Sequence, residues 1–257
     1  ALLADISLWD FEYEAVIEYV GEIEEMGFQL LPANRWFDNF YPGNSLSSIF
    51  EFQFNSSQEQ WNDLFAYTYF RNQRYLASSK ALELLSAETD ANPELYRGRG
   101  SLRSDDAAIW KYCGIAPDGR SFRPSTEQSD ANWIVYRFAD LLLMKAEALS
   151  QLDRYEEAQQ ILDAIRNRAQ TNPKTVQQSR QAFEDAILEE RAIELAFEGK
   201  RWFDLLRMGR RNNYSRKNEL IQIIVENVPS TQRLVLASKL TDPYGWYLPI
   251  LEEEFER

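Results

Sequence analysis

The sequence predicts an all-α fold of packed helix pairs, with a small β-hairpin and long loops attached. Three observations carry that prediction. Between Ala182 and Arg211, Leu188, Ala192, Leu195, Ala196, Gly199, Trp202, Phe203 and Leu206 recur at steps of three and four, the mark of a buried helix face. Two segments far apart in the chain repeat one helix-turn-helix pattern. Alternation at a period of two, the mark of a strand, occurs as a short run, SIFEFQF at Ser48–Phe54.

Taken in order, Ala1 to Glu25 reads as two helices meeting near Trp9 to Glu12, with Ala4, Leu8, Tyr13, Val16 and Ile17 on apolar faces. Arg137 to Ala169 repeats this pair at a constant offset of 142 residues: Ala146 stands for Ala4, Tyr155 for Tyr13 and Ala158 for Val16. Small residues permit close helix contact and an aromatic closes the turn, as in tetratricopeptide units. Two units this far apart are not a tandem array, so other helices must complete the stack. The helix from Phe138 to Leu149 is apolar on most sides, interrupted mainly by Asp140, Lys145 and Glu147, which predicts burial between neighbours. Its partner starts near Asp153, carries Tyr155, Ala158, Ile161, Leu162, Ile165 and Ala169 on one stripe, and stops at Asn172 and Pro173.

Between the pairs, Pro42, Gly43 and Asn44 supply a turn before the strand, and Asn55, Ser56 and Ser57 end it, so a small sheet or hairpin is expected on the helical body. Thr89 to Asp130 mixes glycine, proline, serine and charge with little periodicity and reads as long loops. On the helix after Ala182, Glu190, Glu194 and Glu198 recur every fourth residue with Arg191 and Arg201 within a turn of them. Gly199 is read as a point of close backbone approach.

A chain of 257 residues with 44% hydrophobic and 27% charged residues fits a single large domain over 1–257. Acidic residues outnumber basic ones, 41 against 28, and the net charge of −13 argues against nucleic acid as a ligand. No apolar run reaches the roughly 20 residues of a membrane-spanning helix, so contact with a membrane is expected only through a lipid anchor outside this chain. Cys113 is the only cysteine and histidine is absent, which removes internal disulfides, Ser-His-Asp and Cys-His nucleophilic sites and the common zinc sites. The first residues, ALLA, read as the interior of a helix rather than a signal peptide, and the chain is expected to be the C-terminal part of a longer protein. No phosphate loop or calcium loop is present, and no cofactor is expected.

Aromatic residues make up 14% of the chain and gather in Gln58 to Tyr75, QEQWNDLFAYTYFRNQRY. A sugar ring offers a C–H face that stacks on an aromatic ring and hydroxyls that need amide, carboxylate or guanidinium partners, and this segment supplies both. Core packing is an equal reading for most of these rings. Trp61, which follows a polar run, is the one assigned to ligand. Trp36, Phe37, Phe40 and Tyr41 are read as packing the strand, Trp110 and Tyr112 as anchoring a loop, and Trp133 and Tyr136 as core. Glu189, Glu190, Glu194 and Glu198 lie on one helix with cations nearby. A glycosidase instead needs two carboxyls facing each other across a cleft of roughly 5 to 9.5 Å, one with a raised pKa. Structural ion pairing is the expected role.

In order along the chain, ALLADISLWDFEYEAVIEYV, SSIFEFQFN, YRFADLLLMKAEAL with DRYEEAQQILDAIRNRA, ILEERAIELAFEGKRWFDLLRMGR and YLPI together resemble the SusD/RagB family of nutrient-binding outer-membrane lipoproteins. The resemblance implies a scaffold of tetratricopeptide-like helix pairs that caps a TonB-dependent SusC-type transporter. It also implies a surface-exposed lipoprotein that captures oligosaccharides or peptides without catalysis. In glycan binders of the family an arc of aromatic rings, partly from loops after the strand, forms the site. Here that implies Trp61, Tyr67, Tyr69, Phe70, Arg71, Arg74 and Tyr75. The ending departs from the family, because Ile250 to Arg257 replaces a tail rich in proline and asparagine.

Two other classes compete with glycan capture. One is an intracellular tetratricopeptide-like scaffold for a peptide or partner protein. The other is a carboxylate-dependent glycoside hydrolase.

Overall fold

The computed structural model describes residues 1–41, 43–63, 67–68, 74–91, 96–103, 107–112 and 129–248. The chain divides into two compact units, 1–201 and 202–257. The first opens with α1 (Leu2–Trp9) and α2 (Tyr13–Glu25), followed by a 3-10 segment, Ala33–Asn39, and strand β1 (Ser48–Phe52). Helices α3 (Ser79–Ala91) and α4 (Tyr96–Ser101) and the two-residue strands β2 (Leu102–Arg103) and β3 (Ala108–Ile109) come next. Strand β4 (Trp133–Arg137) then runs directly into α5 (Phe138–Gln151), which is followed by α6 (Tyr155–Arg168) and α7 (Arg180–Glu194).

The repeat expected from the sequence is present down to its backbone. At the turn of the first pair the amide of Glu12 donates to the carbonyl of Ser7 at 2.8 Å. At the second, 142 residues later, Arg154 donates to Leu149 at 2.9 Å. The residue before each has a left-handed backbone, φ 63° at Phe11 and 60° at Asp153. One such residue reverses the chain between two helices, and aspartate adopts it with less strain than phenylalanine. Ala4 and Ala146 are fully buried, as are Val16 and Ala158, which is what brings paired helices together. Helix α2 packs on α5, and α7 packs on α5 as well, so α5 is enclosed along nearly its whole length. Its polar residues Asp140 and Glu147 are buried with the rest.

Strand β1 is where expected, but its partner is not local. It pairs antiparallel with β4, from Ser48 opposite Arg137 to Phe52 opposite Trp133, so a long-range pair replaces the expected hairpin. The ladder extends to the first residue of α5, whose amide donates to Ser47 at 2.8 Å. A strand of five residues that continues without a break into a buried helix carries little signal of its own. Period-two alternation holds in β1 with the opposite sense from a hydrophobic-in strand: Phe50 and Phe52 are 49% and 55% exposed, while Glu51 is buried. Within Thr89 to Asp130, read as loop, α4, β2 and β3 are ordered elements.

The stripe read across Ala182 to Arg211 is corrected in part by the structure. Helix α7 ends at Glu194, and its buried face carries Phe183, Ala186, Ile187, Glu190, Arg191, Ile193 and Glu194, while Leu188 and Ala192 are only half-buried. Trp202 and Phe203 are 37% and 55% exposed. Leu195, Ala196 and Leu206 are buried as expected, but the face read as ionic, with Glu190, Glu194 and Glu198, is buried as well, because buried cations meet it. Gly199 has φ 78° with nothing within 4 Å of a would-be Cβ, so it serves a turn and not a close approach.

The second unit consists of α8 (Arg201–Tyr214, from Trp202 on), α9 (Lys217–Glu226), α10 (Ser230–Leu240) and a 3-10 turn, Pro243–Trp246. Regular geometry in α8 breaks at Arg211, and Asn212 and Asn213 take left-handed backbones. The close-approach glycine is Gly209, where an added Cβ would lie 2.6 Å from Leu220 Cδ1 and 3.2 Å from Trp246. Trp246 donates its indole N–H to the Leu240 carbonyl at 2.8 Å and meets Tyr214 edge to face. Among the described residues no helix is long and apolar enough to cross a membrane.

Candidate functional site

The aromatic segment is held by two anchors. After β1 the chain makes a tight loop in which Asn55 and Gln60 bridge, and Asn62, itself buried, then ties the segment to the stretch before β4. Its amide donates to Ser129 at 2.7 Å and its side-chain Nδ2 to the Ala131 carbonyl at 2.9 Å. Trp61 therefore sits beside the β1–β4 pair, half-buried rather than fully exposed.

The second anchor holds Tyr67, Arg74 and Tyr75. The Tyr67 carbonyl accepts from the amides of Arg74 at 2.9 Å and Tyr75 at 3.1 Å. The guanidinium of Arg74 lies 5.1 Å from the Tyr67 ring centre, and the Tyr75 ring meets Tyr67 edge to face at 5.8 Å. Tyr75 is 57% exposed. Leu76 bridges to Ala108 and Ala77 donates to Ala107, so the cluster hangs on β3. Of the seven residues expected in the site, the structure thus brings together Tyr67, Arg74 and Tyr75 and places Trp61 on a separate anchor. Tyr69, Phe70 and Arg71 lie outside the described residues, as do Pro42, Cys113 and the chain from Pro249 onward.

Sequence reading missed a polar group at the same end of the sheet. Glu51 Oε2 accepts from Asn132 Nδ2 at 2.8 Å and from the Asn44 amide at 2.9 Å, while Asn44 and Gln53 exchange amide hydrogen bonds. Gly43 has φ 105° and lies so close that a Cβ there would meet Asn132 and Glu51 within 2.6 Å. The signal that pointed here was the alternation of β1, which places Glu51 and Gln53 opposite its rings.

Both anchors lead back to a buried ionic frame. Glu190, Glu194 and Glu198 pair as expected, with cations that come from far along the sequence. Arg97 joins Glu190, Glu194 and Glu88. Arg137, the last residue of β4, grips Glu198 through Nε and Nη2, both at 2.8 Å, and reaches Glu194 through Nη1 at 2.8 Å. Arg168 also pairs with Glu194. Lys111 Nζ bonds Glu198 at 2.6 Å and the carbonyls of Glu194 and Ala196 at 3.0 and 2.8 Å, placing its charge at the carbonyl end of α7. Arg191 pairs with Asp140, which Lys200 also approaches. Trp36 and Phe40 lie beneath Lys111 and Arg137, with ring centres 4.8 to 5.8 Å from the cations. Tyr112 stacks on Trp133 and meets Phe40 edge to face, in keeping with its expected anchoring role.

Burial disfavours the charged forms of Glu194 and Glu198, yet the surrounding cations outweigh it. Arg168, Arg137 and Arg97 hold Glu194 well below the usual carboxylate range, and Arg137 and Lys111 lower Glu198. Burial brings Lys111 down to about 8 against the pull of Glu198. A general acid needs a raised pKa and access to substrate. These carboxylates have neither, so they form a frame that positions the loops.

The family model described as the SusD family matches residues 114–257. A SusD-like protein, P38, of Formosa agariphila is 38% identical over 113 residues, which span 41% of this chain and 21% of that protein. Among solved structures, a SusD superfamily protein from Bacteroides vulgatus superposes with a TM-score of 0.71 at 19% identity, over 99% of this chain and 59% of the other. A second structure from that organism, described as a SusD-like carbohydrate binding protein, has a TM-score of 0.63 at 16% identity, over 80% of this chain and 44% of its own. The chain thus spans less than two thirds of the length of these relatives, and at these identities the structural likeness concerns the fold.

Proposed function

The chain belongs to the SusD family, and from that membership we propose that it is a non-catalytic, surface-exposed binding protein of the outer membrane that captures glycans. In this reading it belongs to a lipid-anchored protein that delivers oligo- or polysaccharide to a TonB-dependent SusC-type transporter for import. The observation that carries the proposal is the family match over residues 114–257. The carbohydrate-binding description of one structural neighbour supports the ligand class.

The loops supply suitable chemistry. The exposed Tyr75, the Tyr67 ring and the Arg74 guanidinium offer a stacking face beside hydrogen-bond donors. Trp61 offers a second ring, and Tyr69, Phe70 and Arg71 complete the proposed set. Isothermal titration of the protein against a panel of soluble polysaccharides tests the reading. Heat with at least one glycan, diminished in Trp61→Ala or Tyr75→Ala, is the expected result. Silence across the panel would overturn glycan capture.

A further inference from the structure

We infer that the glycan held at Tyr67, Arg74 and Tyr75 is anionic, a uronate or a sulfated sugar whose charge meets the Arg74 guanidinium while its ring lies on Tyr75. The inference rests on the reading of the chain as a glycan-binding protein and names the class of glycan. It starts from a cation that stands apart from its neighbours. Among the described residues of 1–201, the exposed cations Arg35, Lys80, Arg154 and Arg180 each lie 2.6 to 2.8 Å from a carboxylate, those of Asp38, Glu83, Glu157 and Asp153. Arg74 is also exposed, and it meets no carboxylate among the described residues.

What holds Arg74 is a ring. Its guanidinium lies 5.1 Å from the centre of Tyr67, whose carbonyl takes the Arg74 amide at 2.9 Å. A ring attracts a cation without neutralising it, so a full positive charge is kept in place at the surface. Tyr75, 57% exposed, meets the same Tyr67 ring at 5.8 Å. An open aromatic face and a fixed cation therefore share one support. A neutral sugar would use the face and gain little from the cation. A carboxylate or sulfate gains charge-assisted hydrogen bonds, and the planar fork of a guanidinium matches its paired oxygens better than an ammonium does. The net charge of −13 opposes an anionic ligand at long range. Physiological salt screens most of that repulsion beyond roughly 8 Å, whereas the pair with Arg74 forms at hydrogen-bond distance.

Isothermal titration tests the inference with acidic glycans beside neutral partners of the same backbone. The probes are polygalacturonate and alginate, each with its carboxyl-reduced form, carrageenan with its desulfated form, and starch and xylan as neutral glycans. At least one acidic member should bind about tenfold tighter than its neutral partner, with the advantage shrinking at about 0.5 M salt. The carboxyl pairs and the sulfate pair tell the two sources of charge apart. Arg74→Gln should remove most of the advantage and Arg74→Lys should keep part of it, whereas Tyr75→Ala should weaken acidic and neutral forms alike. Binding confined to neutral glycans, equal binding of acidic and neutral partners, or an acidic preference that survives Arg74→Gln would overturn the anionic assignment and leave glycan capture standing. Silence of every probe would overturn both.

Discussion

The ammonium of Lys111 lies 2.6 Å from the carboxylate of Glu198, and both side chains are completely enclosed by protein. The pair links two parts of the chain that no local pattern connects. Lys111 follows β3, on which Tyr75 is hung, and Glu198 follows α7, so the pair transmits the position of the helical body to the aromatic loop.

Lys111→Met should therefore destabilise the protein by about 3 to 5 kcal/mol, because removing one partner of a buried pair leaves the other charge uncompensated. Arg137→Met should cost at least as much, since it strips both Glu194 and Glu198. Urea unfolding at neutral pH measures both, and a loss under 1 kcal/mol for either would contradict the frame.

Acid should act through the same groups. Glu194 and Glu198 have folded pKa values below the ordinary 4.5, as Asp140 does relative to 3.8. The unfolded chain therefore binds more protons than the folded one as pH falls past these values. Their stabilisation is complete above the unfolded pKa and is lost as pH drops through the folded ones. Thermal melts should hold steady from pH 7 to about 5.5 and fall steeply below about 4, with the acid slope reduced in Arg137→Met.

Two glycines should respond differently to the same substitution. Gly199→Ala faces open space but must keep φ at 78°, a cost of about 1 to 2 kcal/mol. Gly209→Ala drives a methyl into Leu220 and Trp246, an overpacking cost of about 1 to 3 kcal/mol. Leu220→Ala in the Gly209→Ala background makes room, so its unfolding midpoint should exceed that expected if the two losses simply added. No such rescue is expected for Gly199→Ala.

Ring removal should change binding without changing stability. Each stacked ring contributes roughly 0.5 to 1.5 kcal/mol beyond area burial, so Tyr75→Ala should weaken glycan binding about three- to tenfold from a micromolar to millimolar starting point. Its unfolding midpoint should stay within error of the parent, because Tyr75 is mostly exposed.

What was legible in the sequence was what neighbours in the chain decide. The helix pairs announce themselves through Ala4, Tyr13 and Val16 and their counterparts, because close packing and the turn are set within a few residues. The role of Glu190, Glu194 and Glu198 as ion pairs was also readable, but their burial was not. It depends on Arg97, Lys111 and Arg137 arriving from far along the chain. For the same reason β4 was hidden: its partner lies on the far side of the whole aromatic segment. Of the site, composition marked the segment, whereas the separate anchoring of Trp61 and Tyr75 depends on Asn62 and Ala108, which carry no signal of their own.

The pairing of β1 with β4 means that the chain departs from the helical body and re-enters it at adjacent points, with Asn132 Nδ2 bonded to Gln53 Oε1 at 3.1 Å across the gap. Such an arrangement works as a socket. Loops within the segment held between these touching ends can lengthen for a closure cost that rises only about 0.6 kcal/mol per doubling, while Arg97 and Lys111 keep the segment fastened to the helical body. Recognition can accordingly diversify by exchange of the inserted segment while the body that carries it stays constant, provided the replacement still presents a lysine and an arginine to the carboxylates at the end of α7.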